Sequence, residues 1–297
     1  MTPALDVVVV AYNSESALRR SLPAARQIPG VDRIVVVNNG ADASSAVAAE
    51  YGAEVLDRPD NPGFGAGQNL GFGQGQAPYV LSLNPDAEPV PRGVVAGLEW
   101  LETHSEVAAV QGVITNRANG LPERSQGREL GPIHLLGRAL GLRALLRIDA
   151  VAAHARRSRV MRDHVDRVPE KPTEVEALAA TAVLIRRSAF CSVDGFDERF
   201  FLYGEDMDLC RRLRAGGWRL VALPDPWALH TSGDSSGSWF DRELRWWQGT
   251  RQFAAYWWGP MARRTAVAAA AAQWVKMAMR CPRRAGEAWR VVVLGTK

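Results

Sequence analysis

Cysteine is scarce in this chain of 297 residues, which has three, Cys191, Cys210 and Cys281. They are too few and too far apart for a disulfide framework or a zinc site, and they favour a reducing compartment. Long apolar runs are also missing, since the longest, residues 265–273, is mostly alanine and too short to span a bilayer. The start, MTPALDVVVVAYN, has neither a basic segment nor a cleavage site, which favours a buried strand over a signal peptide. We therefore expect a cytoplasmic protein.

Extreme composition is absent as well. With 47% hydrophobic and 23% charged residues, the chain is neither disordered, collagen-like nor a coiled coil. The net charge of +4 is uneven, because residues 239–297 carry eleven Lys or Arg against three Asp or Glu, together with seven of the ten tryptophans. A basic, tryptophan-rich tail suits an anionic membrane surface or nucleic acid, although a helical appendage with a solvated arginine face explains it equally simply.

Apolar runs and helical patterns alternate along the first half of the chain. The pattern predicts an α/β fold with a mostly parallel sheet, in which ligands bind beyond the carboxyl ends of the strands. The predicted strands are 5–11, 31–37, 53–57, 78–83 and 107–114, and the predicted helices start near residue 14 and span 43–52 and 92–104. A Pro/Gly/Asn-rich loop is expected between the third and fourth strands, and a long buried strand at 175–187.

Small and polar residues follow these strands. They are Ala11-Tyr12-Asn13, Asn38-Asn39-Gly40 and Asn84-Pro85-Asp86-Ala87-Glu88. The glycine-rich stretch 61–75 invites comparison with a dinucleotide fingerprint, but Gln68 stands where the third glycine is required. The stretch also follows the third strand rather than the first, so a Rossmann dehydrogenase is disfavoured. Its glycines can still let the backbone approach a ligand closely.

A second group of candidates lies in the second half of the chain. Glu205 and Asp206 open a predicted helix that Gly216-Gly217 closes. Taken alone, a carboxylate at a helix start is explained by the helix dipole. His230 ends the apolar run WALH, where a lone histidine is more often a satisfied core residue than a ligand.

Four motifs in order make these candidates more specific. They are VVVVAYN, VVVNNGAD with NPGFGAGQNLGF, LNPDAE, and GFDERFFLYGEDMDL, and the pattern extends over residues 5–233. The chain resembles the inverting glycosyltransferases of family 2, which have the GT-A fold. It is most similar to bacterial rhamnosyltransferases that act on polyprenyl-diphosphate-linked sugars. The resemblance implies a GT-A domain at 1–235, with a variable acceptor region at 115–173, and a basic helical tail at 236–297.

The resemblance implies a divalent cation, Mg²⁺ or Mn²⁺, that neutralises the departing nucleoside diphosphate. Asp86 matches the metal-facing aspartate of the family, and His230 matches a histidine that joins the metal site in some members. Asn84 stands where many relatives have an aspartate against the ribose. Asp206 matches the catalytic aspartate, the general base that takes the proton from the acceptor hydroxyl. Its neighbour Glu205 is expected to fix local structure or bind acceptor.

The resemblance also implies a nucleotide site for a UDP- or dTDP-sugar. Asn38 stands where relatives have an aspartate that accepts a hydrogen bond from the uracil or thymine imide, and its amide oxygen can do the same without charge. The predicted donor-binding residues are Ala11, Tyr12, Asn13, Asn38, Asn39, Asn61, Gly65, Asn69, Asn84, Pro85 and Asp86.

Several alternatives stay open at this stage. Rhamnose from dTDP-rhamnose is the first choice of donor, with N-acetylglucosamine, galactofuranose or an unusual deoxysugar as alternatives. The acceptor is a glycan or polyprenyl-diphosphate-linked sugar, or a soluble natural product. A catalytically degenerate carbohydrate-binding scaffold competes with the enzyme, whereas a nucleotidyltransferase and a nucleic-acid binder fit less well. An arginine-rich helix is expected in the acceptor region, at Arg156, Arg157, Arg159 and Arg162.

The tail has three candidate roles. Phe240, Leu244 and Trp247 recur at helical spacing, as do Trp246, Phe253 and Trp257. Such faces suit packing on the catalytic domain, a homodimer, or peripheral contact with the cytoplasmic face of a membrane. We favour the membrane, because a lipid-linked acceptor requires it.

Overall fold

A computed structural model of the chain describes residues 3–141, 168–231 and 238–295. The predicted arginine-rich helix at Arg156–Arg162 lies outside these ranges. The chain forms two compact units, which we describe separately. The first comprises Met1–Arg128, Arg167–Phe201 and Asp206–Ser235, and the second Glu129–Asp166, Leu202–Glu205 and Ser236–Lys297. The boundary predicted at residue 235 stays a prediction.

Strands and helices alternate along the first unit. The strands are β1 (Leu5–Ala11), β2 (Val31–Asn38), β3 (Glu54–Asp57), β4 (Tyr79–Leu83), β5 (Ala87–Pro89), β6 (Val107–Asn116), β7 (Gln126–Gly127), β8 (Thr173–Glu174), β9 (Ala177–Leu178), β10 (Ala182–Arg186) and β11 (Arg219–His230). The helices are α1 (Glu15–Arg26), α2 (Ser44–Glu50), α3 (Phe64–Phe72), α4 (Pro91–Thr103), α6 (Arg187–Cys191) and α7 (Glu205–Ala215), whose first residue belongs to the second unit.

The described strands build a nine-stranded mixed sheet in the order β3-β2-β1-β4-β10-β6-β11-β5, with β8 on β11. The four strands β3, β2, β1 and β4 are parallel, as the alternating pattern predicts, and β10 runs antiparallel between β4 and β6. Both faces of β1 are covered. Val7 and Val9 pack into a cluster with Leu18, whereas Val8 packs with Phe72 on the other face. This explains why β1 is a continuous apolar run.

The predicted strand at 175–187 is interrupted in the structure. Its residues form β9, a short connection at 179–181, β10, and the start of α6 at Arg187. Thr181, the residue before β10, lies opposite Asn84 in the antiparallel register with β4, and its carbonyl accepts a hydrogen bond from the Asn84 backbone N–H at 2.8 Å. The apolar pattern is continuous because Leu178, Ala182 and Leu184 are all buried, although they do not belong to one strand.

The glycine-rich stretch is also different from the prediction, because residues 64–72 form helix α3 rather than a loop. Its glycines allow the helix to approach its neighbours closely. A Cβ on Gly71 would lie 2.3 Å from Val8 Cγ1, and one on Gly67 would lie 2.9 Å from Val10 Cγ2. Close packing on β1 therefore requires glycine where helix propensity alone disfavours it.

We expect Gly71→Ala to lower the free energy of unfolding by about 1–3 kcal/mol, because the methyl group must displace Val8 in a closely packed core. Gly73→Ala is the matched control, since Gly73 has a helical φ of −70° and a Cβ there has no neighbour closer than 3.4 Å. It should change the stability by less than about 1 kcal/mol. Urea unfolding followed by circular dichroism measures both, and equal effects would contradict the packing role.

The second unit is helical, with α5 (Pro132–Ala139), α8 (Trp239–Trp257), α9 (Pro260–Arg280) and α10 (Ala285–Ala288). Of the predicted apolar face of α8, Phe240, Trp247 and Phe253 are buried. None of the helices within the described ranges has the length and apolarity needed to cross a lipid bilayer.

Candidate active site

The carboxyl ends of β1 and β2 form one corner of the site. Ala11 and Asn38 are register partners, and the Asn39 N–H donates to the Ala11 carbonyl at 2.8 Å. Asn13 adopts a left-handed φ of +50°. Gly40 lies so close that a Cβ there would be 2.5 Å from the Asn13 backbone nitrogen. The predicted base-binding residues are thus brought together in a tight corner, flanked by Tyr12, which is 42% exposed.

Asp86 and His230 meet at the ends of two other strands. His230 is the register partner of Ala87, and the Thr231 N–H donates to the Asp86 carbonyl at 3.0 Å. These pairings place His230 Nε2 3.3 Å from Asp86 Oδ1, and Asp86 is only 5% exposed. The two residues predicted to hold a metal from positions 144 apart in the chain therefore lie side by side.

Glu123 is a third member of this cluster, and the sequence analysis did not select it. Its Oε2 lies 2.7 Å from His230 Nδ1, and its Oε1 accepts a hydrogen bond from Asn116 Nδ2 at 2.8 Å. Burial alone would lower the pKa of His230, but hydrogen bonds to Asp86 and Glu123 outweigh it and raise the pKa to about 9. Glu123 also orients the ring so that Nε2, rather than Nδ1, faces Asp86.

The donor set suits a divalent cation. A buried carboxylate oxygen and an imidazole nitrogen are ligands for Mn²⁺, and a carboxylate behind a histidine is a common supporting arrangement in metal sites. Within the described ranges no group of three or more His, Cys, Asp or Glu is placed to hold a metal by itself. Asp86 and His230 are the pair of described residues that the sequence predicts as ligands, and their chemistry fits that role.

Asp206 lies in the first turn of α7. Its Oδ1 accepts the Met207 N–H at 2.8 Å, and the Ala180 backbone also donates to its carboxylate. A pocket beside it has an apolar lining that includes Val183, Phe196 and Leu209. Burial in these surroundings raises the pKa of Asp206. Its neighbour Glu205 is buried.

The connection 179–181 lies between β9 and β10 and contacts both Asp206 and the motif that contains Asp86. Its Ala180 N–H faces Asp206, whereas its Thr181 carbonyl accepts the Asn84 N–H in the motif that contains Asp86. Two buried side chains hold this connection. Gln111 Nε2 donates to the Ala179 and Ala182 carbonyls at 2.7 Å, and Trp227 Nε1 donates to Ala182 at 2.8 Å. The connection therefore contacts Asp206, the predicted general base, through Ala180, and Asn84, two residues before the predicted metal ligand Asp86, through Thr181.

The predicted donor residues of the glycine-rich stretch make hydrogen bonds and packing contacts within the protein. Asn69 Nδ2 donates to the Phe196 carbonyl at 2.9 Å, and its Oδ1 accepts the Phe196 N–H at 2.9 Å. Gly65 packs against Phe196, with 3.1 Å between its ideal Cβ and the Phe196 Cβ. The Asn61 Oδ1 accepts the Gly63 N–H at 3.3 Å. Asn69 and Gly65 thus tie α3 to the loop before α7, and their predicted contact with the donor stays a prediction.

We expect Glu123→Ala to weaken Mn²⁺ binding by about 10- to 100-fold, because His230 loses the carboxylate that orients it. Electron paramagnetic resonance of Mn²⁺ titrated in the presence of UDP measures the affinity. Glu123→Gln should retain most of it, since the side-chain amide oxygen can still accept from Nδ1. Glu106→Ala, which removes an exposed carboxylate paired with Arg219, is the control. Unchanged Mn²⁺ affinity in Glu123→Ala would contradict the supporting role.

Comparisons with known proteins identify the family of the chain. The profile of Glycosyl transferase family 2 matches residues 6–190, and that of Glycosyl transferase family group 2 matches residues 150–293. The chain is 29% identical over 258 residues to the N-acetylglucosaminyl-diphospho-decaprenol L-rhamnosyltransferase of Mycobacterium tuberculosis, covering 80% of this chain and 79% of the relative.

Solved structures share the fold at low sequence identity. GalNAc-T7 with UDP, GalNAc and Mn²⁺ superimposes with a TM-score of 0.62 and 13% identity, over 87% of this chain and 49% of that one. The mannosyltransferase PcManGT from Pyrobaculum calidifontis, in complex with GDP-Man and Mn²⁺, gives a TM-score of 0.59 and 13% identity, over 99% and 86%.

The fold and the matched motifs define a GT-A glycosyltransferase. The chain belongs to glycosyl transferase family 2. The α/β fold expected from the sequence is thereby confirmed.

Proposed function

We propose that this protein transfers rhamnose from dTDP-rhamnose to a hydroxyl of a polyprenyl-diphosphate-linked glycan, with inversion at the anomeric carbon. The observation that carries the reaction type is that the connection 179–181 contacts both Asp206 and the motif whose Asp86 pairs with His230. The similarity to a rhamnosyltransferase named for a diphospho-decaprenol acceptor supports the choice of sugar and acceptor.

The residues divide the chemistry between them. Asp86 and His230 would hold Mg²⁺ or Mn²⁺, which stabilises the negative charge on the departing nucleoside diphosphate. Asp206 accepts the proton of the acceptor hydroxyl as the new glycosidic bond forms, and its partly desolvated carboxylate is a stronger base than one in water. Attack on the face opposite the leaving group inverts the anomeric centre without a covalent enzyme intermediate.

The donor and acceptor are tested together. Purified protein is incubated with Mn²⁺, N-acetylglucosamine-diphosphate-polyprenol and, in turn, dTDP-rhamnose, UDP-N-acetylglucosamine or UDP-galactofuranose, and the lipid products are identified by mass spectrometry. Rhamnose transfer supports the proposal. Transfer of a different sugar, or transfer to a soluble acceptor only, replaces the proposed substrates. If the protein binds nucleotide but neither transfers the sugar nor hydrolyses the donor, the degenerate scaffold is supported instead.

A lipid-linked acceptor calls for a surface that contacts lipid, and α9 offers one within the second unit. Met261, Val275 and Met279 recur on one face of this helix and are 72%, 46% and 71% exposed. Exposed Arg264 and Arg280 accompany them on the helix. Exposed apolar side chains with adjacent arginines suit a bilayer that contains anionic lipid, and we propose that this face contacts the membrane.

We expect the double variant Met261→Asp, Met279→Asp to bind anionic vesicles at least about tenfold more weakly than wild type, because it places charge in the apolar stripe. Sedimentation with phosphatidylglycerol/phosphatidylethanolamine vesicles measures binding. Leu121→Asp, an exposed apolar residue of the first unit, is the control. Equal binding by all three proteins would contradict the lipid contact, and concentration-dependent dimers of wild type alone would assign the stripe to self-association instead.

A further inference from the structure

Asn38 is held in a hydrogen-bond network that involves a residue outside the predicted site. Its Nδ2 donates to Asp57 Oδ1 at 3.1 Å and to Ser45 Oγ at 2.8 Å. The Ser45 hydroxyl donates to the same Asp57 oxygen at 2.5 Å. On the other side, Asn38 Oδ1 accepts the Gly40 N–H at 3.0 Å. Asn38 is 3% exposed, whereas Asp57 ends β3 at the surface.

This network allows only one orientation of the Asn38 amide. An ionised carboxylate can only accept hydrogen bonds, and a backbone N–H can only donate. Flipping the amide by 180° would set its oxygen against the Asp57 carboxylate and its NH₂ group against the Gly40 N–H. Both hydrogen bonds would be replaced by repulsion in a largely buried position, where an unmade hydrogen bond is most costly. Asp57 and Gly40 therefore lock the amide from opposite sides.

The locked orientation turns the Asn38 oxygen toward the corner formed by Asn13 and Gly40. An ideal Cβ on Gly40 lies 3.4 Å from Asn38 Oδ1 and 2.8 Å from Asn13 Oδ1, so both side-chain oxygens face the same point. An oxygen has two lone pairs, which leaves Asn38 Oδ1 able to accept a second hydrogen bond beside that from Gly40. A ligand at this corner therefore faces the side-chain oxygen of Asn38, whereas the Asn38 NH₂ group points away from it, toward Asp57.

We propose that Asp57 is a positioning residue for base specificity: by fixing the Asn38 amide, it makes the site select pyrimidines that carry an imide N–H. Uracil and thymine offer that donor at N3, whereas cytosine presents an acceptor there and would be repelled by the Asn38 oxygen. The inference rests on the proposed function, because it takes the corner of Tyr12, Asn13 and Asn38 as the site of the base. Beyond the proposed function, Asp57 is the group that lets the uncharged Asn38 side chain act as a hydrogen-bond acceptor only and so select an imide N–H.

Calorimetric titration with UDP and CDP, each with Mn²⁺, tests the proposal on wild type, Asp57→Asn and Asp57→Glu. Wild type should bind UDP at least about tenfold more tightly than CDP, because the mismatched base leaves a polar group of the site unpaired. In Asp57→Asn the new amide can donate as well as accept, so the contact that most strongly opposes a flipped Asn38 amide is lost and the preference should fall below about threefold. Asp57→Glu, which restores an acceptor-only group, should recover most of the preference.

Asp60→Asn is the matched control, since Asp60 is an exposed carboxylate three residues away that pairs with Arg58. It removes the same charge from the same loop and should leave the preference unchanged. Thermal unfolding checks that the variants fold. A merely structural role for Asp57 predicts equal weakening of UDP and CDP, and that result, or an unchanged ratio in Asp57→Asn, overturns the proposal alone. Failure of wild type to bind either nucleotide overturns the proposed function and this inference with it.

Discussion

Asp206→Asn is expected to lower the turnover number by about 10³-fold while leaving the affinity for UDP or dTDP within about threefold of wild type. The substitution keeps the shape of the side chain and its acceptor oxygen for the Met207 N–H, but an amide cannot take a proton from the acceptor hydroxyl. Loss of turnover without loss of nucleotide binding is the signature of a general base. Initial rates of nucleoside diphosphate release with acceptor present, together with calorimetry, measure both quantities.

Asp197→Asn provides the control for Asp206→Asn. Asp197 belongs to the same motif and pairs with exposed Arg199, so its loss should change turnover by less than about threefold. Comparable losses in the two variants would show that the segment, rather than the Asp206 carboxylate, is being disturbed. Asp206→Asn with near wild-type turnover would exclude Asp206 as the base.

The same carboxylate sets a pH dependence. Burial raises the pKa of Asp206, so the group remains protonated up to a higher pH than an exposed aspartate, whose pKa is about 3.9. A general base acts only when deprotonated, so kcat/KM should fall as the pH drops through a value above that ordinary range. The part of the acidic limb that is due to Asp206 should be absent from the residual activity of Asp206→Asn.

Asp86→Asn is expected to abolish Mn²⁺ binding in the presence of nucleotide and to lower sugar transfer by at least about 10³-fold. The variant removes the carboxylate beside His230 Nε2, and the neutral amide oxygen is a much weaker ligand for a divalent cation. Electron paramagnetic resonance of Mn²⁺ and a transfer assay with added Mn²⁺ follow the two effects separately.

Glu88→Gln is the matched control for Asp86→Asn, because Glu88 lies in the same motif but pairs with Arg117 and Arg20 rather than with His230. It should keep Mn²⁺ affinity within about threefold of wild type. Retained Mn²⁺ binding by Asp86→Asn, with transfer intact, would contradict the assignment of Asp86 as a metal ligand.

The ends of the parallel strands could be located from the sequence because each is marked by neighbouring residues in the chain. The valine run of β1 reflects burial on both faces, and the polar residues after β1 and β2 mark the edge where parallel strands end together. Alternation of strands and helices was sufficient for the α/β fold. The antiparallel β10 was not predictable in this way, because the direction of an inserted strand depends on contacts distant in the chain.

Helix α3 and the break at 179–181 were missed for a related reason. Glycine disfavours a helix in isolation, and only the close approach of Gly71 to Val8 makes it favourable there. The break coincides with hydrogen bonds from the distant Gln111 side chain to the Ala179 and Ala182 carbonyls, which no periodicity reveals. A polar residue inside the apolar strand VAAVQGVI is the one sequence signal that pointed to Gln111.

The site residues show the same division. Asp86, Asp206 and His230 were selected by motif, whereas Glu123 lies in a segment without a pattern and Asp57 ends a predicted strand, and both are identified only by the side chains they touch. At Asn69, a motif position predicted to bind the donor, the side-chain amide hydrogen-bonds to the backbone of Phe196. Resemblance to a family indicates which positions matter, whereas the hydrogen bonds in the structure show which side-chain atoms are already engaged.

The most direct test of the central claim is calorimetric titration of the wild-type chain with dTDP and with UDP, each in the presence of Mn²⁺ and again after EDTA. A metal-assisted nucleotide-sugar site at Asp86 and His230 predicts binding of at least one nucleotide with Mn²⁺ and loss of that binding with EDTA, and the tighter nucleotide identifies the donor class. Absence of binding for both nucleotides, with or without Mn²⁺, would contradict the proposed mechanism.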